Sequence, residues 1–224
     1  MNIAYVVTEN WLEKVKPSIR SLKEHNPEAR IFLVTDAEES DIDAELICVK
    51  DQEYFTERNC INYRNAFSYM SLMKVAYPEL LPVDKVIHLD ADTIICDSLR
   101  PVWETDLTGK WFGMVREWHG NYKPFGEKYY NSGVFVANLK QIRKDNIMSE
   151  MVRFIREVPQ PYGEQDAFNG YGQHHDKIVE LDVRYNESFC CGYTDNPAIV
   201  HYAGLFDWWE NKTMPRAEYL ERYK

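Results

Sequence analysis

Short apolar runs recur along the chain at residues 3–8, 31–35, 86–90, 111–115, 133–137, 178–181 and 198–202, and each reads as a strand. Between them the apolar spacing changes to that of helices. Trp11, Val15, Ile19 and Leu22 fall on one helical face, and Asn26-Pro27 closes that helix. Ala66, Met70, Met73 and Tyr77 repeat the pattern up to Pro78, and Ile147, Met151, Phe154 and Val158 repeat it up to Pro159. Strand and helix alternate through the first half, which predicts an α/β fold with a mostly parallel central sheet flanked by helices. No internal repeat, low-complexity tract or long linker divides the 224 residues, so residues 1–224 are expected to form one domain.

The run at 86–95, Val-Ile-His-Leu-Asp-Ala-Asp-Thr-Ile-Ile, places Asp90 and Asp92 in otherwise apolar company. If the strand continues through them, they share a face and project side by side. Two anions held that close need a divalent metal, a shared proton or a pair of basic side chains between them. In a parallel α/β sheet, ligands gather at the carboxyl ends of the strands, where this pair falls. A D-x-D match alone also describes a solvated turn.

Composition narrows the partners. With 26 basic and 36 acidic residues the chain carries −10 at pH 7, which weighs against binding nucleic acid or anionic lipid non-specifically. The five cysteines form no metal-ligand spacing, are odd in number and include the adjacent Cys190 and Cys191, which predicts a reduced, cytoplasmic protein. The apolar run after Met1 is too short for a signal peptide, and no apolar stretch approaches the roughly 20 residues that span a bilayer, so at most peripheral membrane contact is expected.

Further polar blocks follow the aspartate pair. Residues 129–136, Tyr-Tyr-Asn-Ser-Gly-Val-Phe-Val, run from a polar turn into a strand, with Gly133 placed to allow close backbone approach. Residues 163–169, Gly-Glu-Gln-Asp-Ala-Phe-Asn, read as the opening of a helix, and 181–186, Leu-Asp-Val-Arg-Tyr-Asn, come next. Residues 199–204, Ile-Val-His-Tyr-Ala-Gly, end a strand on His201 with Gly204 three positions on. In this order the blocks resemble the family 8 glycosyltransferases, retaining enzymes with the GT-A nucleotide-diphospho-sugar transferase fold, and the likeness runs from Ile3 to about Trp209.

The resemblance implies a site. Asp90 and Asp92, with Ala91 between them, and His201 would hold a divalent ion on the diphosphate of a UDP-sugar; carboxylates with an imidazole suit Mn²⁺, with Mg²⁺ the alternative. Lys74 matches a basic residue near the donor phosphates and sugar, although its position also fits a solvated helix face. Asn131 and Ser132 match a block that contacts the sugar and diphosphate, and Gly204 belongs to the histidine block. Gln165 matches the group nearest the anomeric carbon and Asp166 a proposed nucleophile; retention needs a covalent intermediate or same-face attack, and both stay candidates. Ala4, Val6, Thr8 and Asn10, at the end of the first strand, are expected around the uracil. The implied reaction moves a hexose, glucose or galactose, to a hydroxyl of a glycan, lipid-linked glycan, protein or small molecule.

One position departs from the family. Where its pattern H-x-x-G-x-x-K-P-W has a diphosphate-gripping lysine, this chain has Asp207, and Lys212 or Arg216 is expected to supply the missing charge. The departure keeps open a non-catalytic module that binds sugar nucleotides or glycans. A haloacid dehalogenase-type phosphatase also begins with a strand running into D-x-D, but carries that motif near its first strand. Trp208 and Trp209 read as a sugar platform or as core aromatics. Residues 118–126 read as a mobile loop on the acceptor side, His88 as structural, and His174-His175 as a solvated pair.

Overall fold

The computed structural model describes residues 1–64, 68–118, 128–205 and 207–224. Nine strands run through these residues: β1 (Asn2–Val7), β2 (Arg30–Thr35), β3 (Glu45–Cys48), β4 (Lys85–Leu89), β5 (Thr93–Ile95), β6 (Phe112–Arg116), β7 (Tyr130–Asn138), β8 (Ile178–Leu181) and β9 (Ile199–His201). Seven form one sheet in the order β3-β2-β1-β4-β7-β6-β8, while β5 and β9 pair as a separate antiparallel ribbon. All neighbours in the large sheet are parallel except β7, which runs against both β4 and β6. The expected mostly parallel sheet is therefore present, with one reversed strand near its centre.

That reversal positions the site. Leu89 pairs with Val134, so the first residues of β7 lie beside the carboxyl end of β4. Asp90 N–H then donates to the carbonyl of Gly133 at 2.8 Å, one step beyond the paired strands. Loops that a purely parallel sheet would send to opposite ends thus meet at one edge.

Helices cover both faces. They are α1 (Leu12–His25), α2 (Tyr69–Leu72), α3 (Tyr77–Leu80), α4 (Arg100–Trp103), α5 (Leu139–Asp145), α6 (Met148–Glu157), α7 (Glu164–His174) and α8 (Ala217–Tyr223). Residues alternate in β1: Ala4 and Val6 pack on one face with Phe32, Phe135 and Phe168, while Ile3, Tyr5 and Val7 pack on the other with Leu22 and Ile87. Burial on both faces explains why these strands read as continuous apolar runs rather than alternating ones. A third cluster under β5, β9 and α8 holds Ile94, Val200, Tyr202, Trp208 and Leu220.

Several boundaries differ from the sequence pattern. Asp90-Ala91-Asp92 is not strand but a turn between β4 and β5, so the turn rather than the pleat brings the carboxylates together. The helix expected across 66–77 is three pieces, α2, a 3-10 turn at Met73–Ala76, and α3; Ser68 caps it, accepting from Met70 N–H at 3.2 Å. Pro78 sits in the first turn of α3 instead of stopping the helix, because an N–H at that position has no intrahelical partner to lose. Ala66 lies outside the described residues, as do Phe206 and all of the acceptor-side loop beyond Trp118. The strand β3 escaped notice because, as a half-exposed edge, it has no clear period.

The segment entering α7 is anchored by one side chain. Buried Asn62 donates to the carbonyls of Ile155 (2.5 Å) and Val158 (2.7 Å) and accepts from Gln160 N–H (2.8 Å). Asn62→Ala leaves buried backbone groups unpaired and should lower unfolding free energy by about 1–3 kcal/mol, read from urea denaturation. An unchanged midpoint would mean that water replaces the amide.

Candidate active site

Three elements meet at the carboxyl end of β4. The turn supplies Asp90 and Asp92, and the β5–β9 ribbon places His201 directly across from Thr93. His201 Nε2 stands 3.2 Å from Asp92 Oδ1 and 3.9 Å from Asp90 Oδ2, and one ligand atom from each residue lies within 4.8 Å of the others. The backbone of the turn is held from below. Thr93 Oγ1 donates to the carbonyl of Asp90 at 2.8 Å, and since that carbonyl only accepts, Ser18 in turn donates to Thr93 (2.9 Å) and Tyr5 to Ser18 (3.0 Å).

Gly133 makes the convergence possible. A Cβ at this position would fall 2.1 Å from His201 Cε1 and 2.8 Å from Asp90 Oδ2. The close approach expected of this glycine is thus made by the side chains of the cluster itself.

Lys74 lies beneath the pair, almost wholly buried, with Nζ 2.8 Å from Asp90 Oδ1, 3.0 Å from Glu164 Oε1 and 3.3 Å from the carbonyl of Ser132. Burial alone would depress its ammonium, but Asp90 and Glu164 overcome this and hold it above the ordinary lysine value. Burial would conversely raise the Asp90 carboxyl, yet Lys74 and then His88 keep it well below the usual carboxylate range. His88 is fully buried, and burial followed by Lys74 pushes its imidazole down to about 4. A neutral His88 accepts from Tyr77 O–H at Nδ1 (2.8 Å) and donates from Nε2 to Asp90 Oδ1 (2.9 Å). Of the sources of positive charge that the sequence left open, a buried lysine takes part, and the neutral His88 adds a hydrogen bond rather than a charge.

A second polar line runs through the start of β7. Ser132 Oγ donates to Glu164 at 3.0 Å, and Ser132 N–H donates to Gln165 Oε1 at 2.8 Å. Glu117 Oε1 accepts from Asn131 Nδ2 (3.0 Å) and Gln165 Nε2 (3.2 Å). Burial raises its carboxyl above the ordinary value, against the pull of those two donors. Neither Glu117 nor His88 was singled out for the site from sequence. Glu117 follows the carboxyl end of β6, which is the topological signal that selected Asp90.

The remaining candidates scatter in burial and contact. Gln165 and Asp166 occupy the first turn of α7, but Asp166 has no accessible surface and accepts from Tyr129 O–H (2.5 Å) and Tyr162 N–H (2.9 Å). Ala4 is likewise fully enclosed in the core, whereas Val6, Thr8 and Asn10 become progressively more exposed beyond it. Ala91 is buried in the turn, and Gly204 adopts a left-handed φ of 78°. Lys212 is 77% exposed, and its ion partner among the described residues is Glu221 at 3.9 Å. Arg216 is committed to Glu187 (2.8 Å) and the carbonyl of Thr194 (2.8 Å). Asp207 is exposed and accepts from Asn211 in a local turn. Trp208 is buried and stacks on Tyr202, with ring centroids 6.0 Å apart and planes 7° apart, which makes it a core aromatic. Both His174 and His175 are exposed.

The profile of Glycosyl transferase family 8 matches residues 2–213, and the chain belongs to that family. General stress protein A of Bacillus subtilis is 26% identical over 195 residues, covering 71% of this chain and 67% of that protein. Glycosyltransferase GlyA of Streptococcus pneumoniae is 26% identical over 224 residues, covering 89% of this chain but only 31% of its own length. Among solved structures, the galactosyltransferase LgtC with donor and acceptor sugar analogs superposes with a TM-score of 0.79 at 22% identity, over 100% of this chain and 95% of that one. Mouse xyloside xylosyltransferase 1 in its apo form gives 0.65 at 18% identity, over 91% and 97%. The fold is that of the GT-A glycosyltransferases.

Two substitutions test the packing of the site. Gly133→Ala should keep the far-UV circular dichroism of the sheet but weaken divalent-metal binding at least about tenfold, because the new Cβ must push His201 or Asp90 aside. Lys74→Met strands two carboxylates and should cost about 3–5 kcal/mol in thermal or urea unfolding. A stability within experimental error of the unsubstituted protein would show that Lys74 is not the charge that holds Asp90 and Glu164.

Proposed function

We propose that the chain is a retaining hexosyltransferase that moves glucose or galactose from a UDP-sugar to an acceptor hydroxyl, with Mn²⁺ or Mg²⁺ on the diphosphate. The observation that carries this reading is the convergence of Asp90, Asp92 and His201 within 4.8 Å. The donor set fits such an ion. Two carboxylates and an imidazole suit Mn²⁺ in particular, and the ring's other nitrogen is already satisfied by Asn186 at 2.7 Å. A divalent ion held there would act as a Lewis acid toward the diphosphate and the departing nucleotide.

The chain's own groups divide the remaining work. Asp90, Asp92 and His201 hold the ion, and Lys74 keeps Asp90 ionised and fixed from below. Asn131, Ser132 and Ala91 form the wall facing the sugar and diphosphate. Val6, Thr8 and Asn10 contact the uracil, whereas Ala4, expected beside them, is enclosed in the core and only backs that end of β1. We assign Gln165 the position nearest the reacting carbon, since it retains accessible surface where Asp166 has none. Lys212 pairs with Glu221 and Arg216 with Glu187 rather than with the aspartates, so an ion held by Asp90, Asp92 and His201 would supply the positive charge facing the leaving group.

Acceptors consistent with the family are glycans, lipid-linked glycans, protein hydroxyls and small molecules. No helix among the described residues is long and apolar enough to cross a membrane. The five cysteines are all free thiols, which accords with a cytoplasmic setting.

UDP should bind more tightly with Mn²⁺ than with excess chelator, and Asp92→Asn should abolish most of that difference in a calorimetric titration. Metal-dependent release of UDP from a UDP-hexose, with an α-anomer retained in the product by NMR, is the expected activity. Gln165→Ala should lower turnover about 10- to 1,000-fold with little change in donor affinity. Metal-independent UDP binding would sink the assignment, and binding without any release would leave a sugar-nucleotide-binding module on this fold.

A further inference from the structure

A buried line of side chains leads from Glu117 to His201, and the chemistry of its ends fixes its direction. The Glu117 carboxylate accepts from the amide of Asn131 at 3.0 Å. Asn131 therefore turns its Oδ1 the other way, where it accepts from Gly133 N–H (2.9 Å) and Asn186 Nδ2 (2.9 Å). That contact in turn directs Asn186 Oδ1 at His201 Nδ1, 2.7 Å away, which must then carry the proton. A neutral ring protonated at Nδ1 leaves the Nε2 lone pair facing Asp92 and Asp90.

Reversal is costly at every link. Turning Asn186 over would set its carbonyl against that of Asn131 and its amide against Nδ1, forcing the proton to Nε2 and closing that atom to a metal. Asn186 is fully enclosed, and Asn131 and His201 nearly so, which leaves little room for water to repair a mismatch. Glu117 has a second role, because the same oxygen accepts from Gln165 Nε2 at 3.2 Å and so orients that amide as well.

We propose that Asn186 is a positioning residue that holds His201 as the Nδ1–H tautomer, and that Glu117, through Asn131, sets this direction while aligning Gln165. The inference rests on the metal reading of Asp90, Asp92 and His201. It gives a role to an asparagine that the sequence placed in a polar block without assigning it one.

Nitrogen NMR of protein labelled at histidine, metal-free and above the titration of the ring, should show His201 protonated at Nδ1. Mn²⁺ titration followed by electron paramagnetic resonance should show Asn186→Leu binding about 10- to 100-fold more weakly than the unsubstituted protein. Asn186→Asp, which keeps an acceptor for Nδ1–H, should recover part of that loss. Glu117→Gln should also weaken Mn²⁺, although it is two residues removed from the ring. His201→Ala separates the two claims. If it weakens Mn²⁺ while Asn186→Leu and Glu117→Gln do not, or if the proton sits on Nε2, the positioning role falls and the metal reading stands. If His201→Ala also binds normally, both fall. Should Asn186→Leu fail to fold, the tautomer spectrum of the unsubstituted protein and the Glu117→Gln titration decide.

Discussion

Asp90 sits at the end of a buried strand with a lysine beneath it and an imidazole on either side, and much of the site's construction follows from keeping that carboxylate charged. Leaving water costs an anion heavily unless partners replace the lost solvation. Lys74 supplies the opposite charge at 2.8 Å, and His88 supplies a hydrogen bond at 2.9 Å. Both partners approach Oδ1, which leaves Oδ2 turned toward His201. The carboxylate is thus divided between a structural oxygen and one facing the cluster.

The same lysine links two halves of the site. Its second ion pair is with Glu164, in the first turn of α7, and its third contact is the carbonyl of Ser132 in β7. Gln165 follows Glu164 directly and accepts from Ser132 N–H. A displacement of α7 relative to β4 therefore has to break charged contacts in a nearly dry environment, where they are strongest. Gln165 is held relative to the aspartates by this network rather than by one local contact, which is the kind of support a precise reacting geometry requires.

The acidic balance of the chain makes the disposition of its cations informative. Arg216 is spent on the fully buried Glu187, tying the segment before α8 to the strand region near β9, and Lys212 faces solvent beside Glu221. Asp207, where the family pattern has lysine, closes a local turn with Asn211. Charge stabilisation in this protein is concentrated beneath Asp90, on Lys74, and not on the segment that follows the histidine block.

The chain's own residue order established the alternating α/β pattern, the mostly parallel sheet and the polar blocks, because periodicity and turn residues are local properties. It also drew attention to Asp90 and Asp92, where an apolar run meets a polar turn, whereas His201 was joined to them by the likeness to family 8. Four things were decided only by tertiary structure. The reversal of β7, which brings Gly133 to Asp90, depends on pairing between strands far apart in sequence. The division of Tyr69–Leu80 into three short pieces, with Met73–Ala76 buried as a 3-10 turn, leaves no mark in the apolar spacing. The burial of Lys74 could not be told from solvation on an amphipathic helix, because spacing shows a face but not what covers it. Glu117, His88 and Asn186 acquire their partners across separations of 2 to 55 residues, and in five of these six contacts the partner lies on another element. A hydrogen bond between distant elements leaves no period in the sequence; it exists only once the fold has brought a donor and an acceptor together out of water.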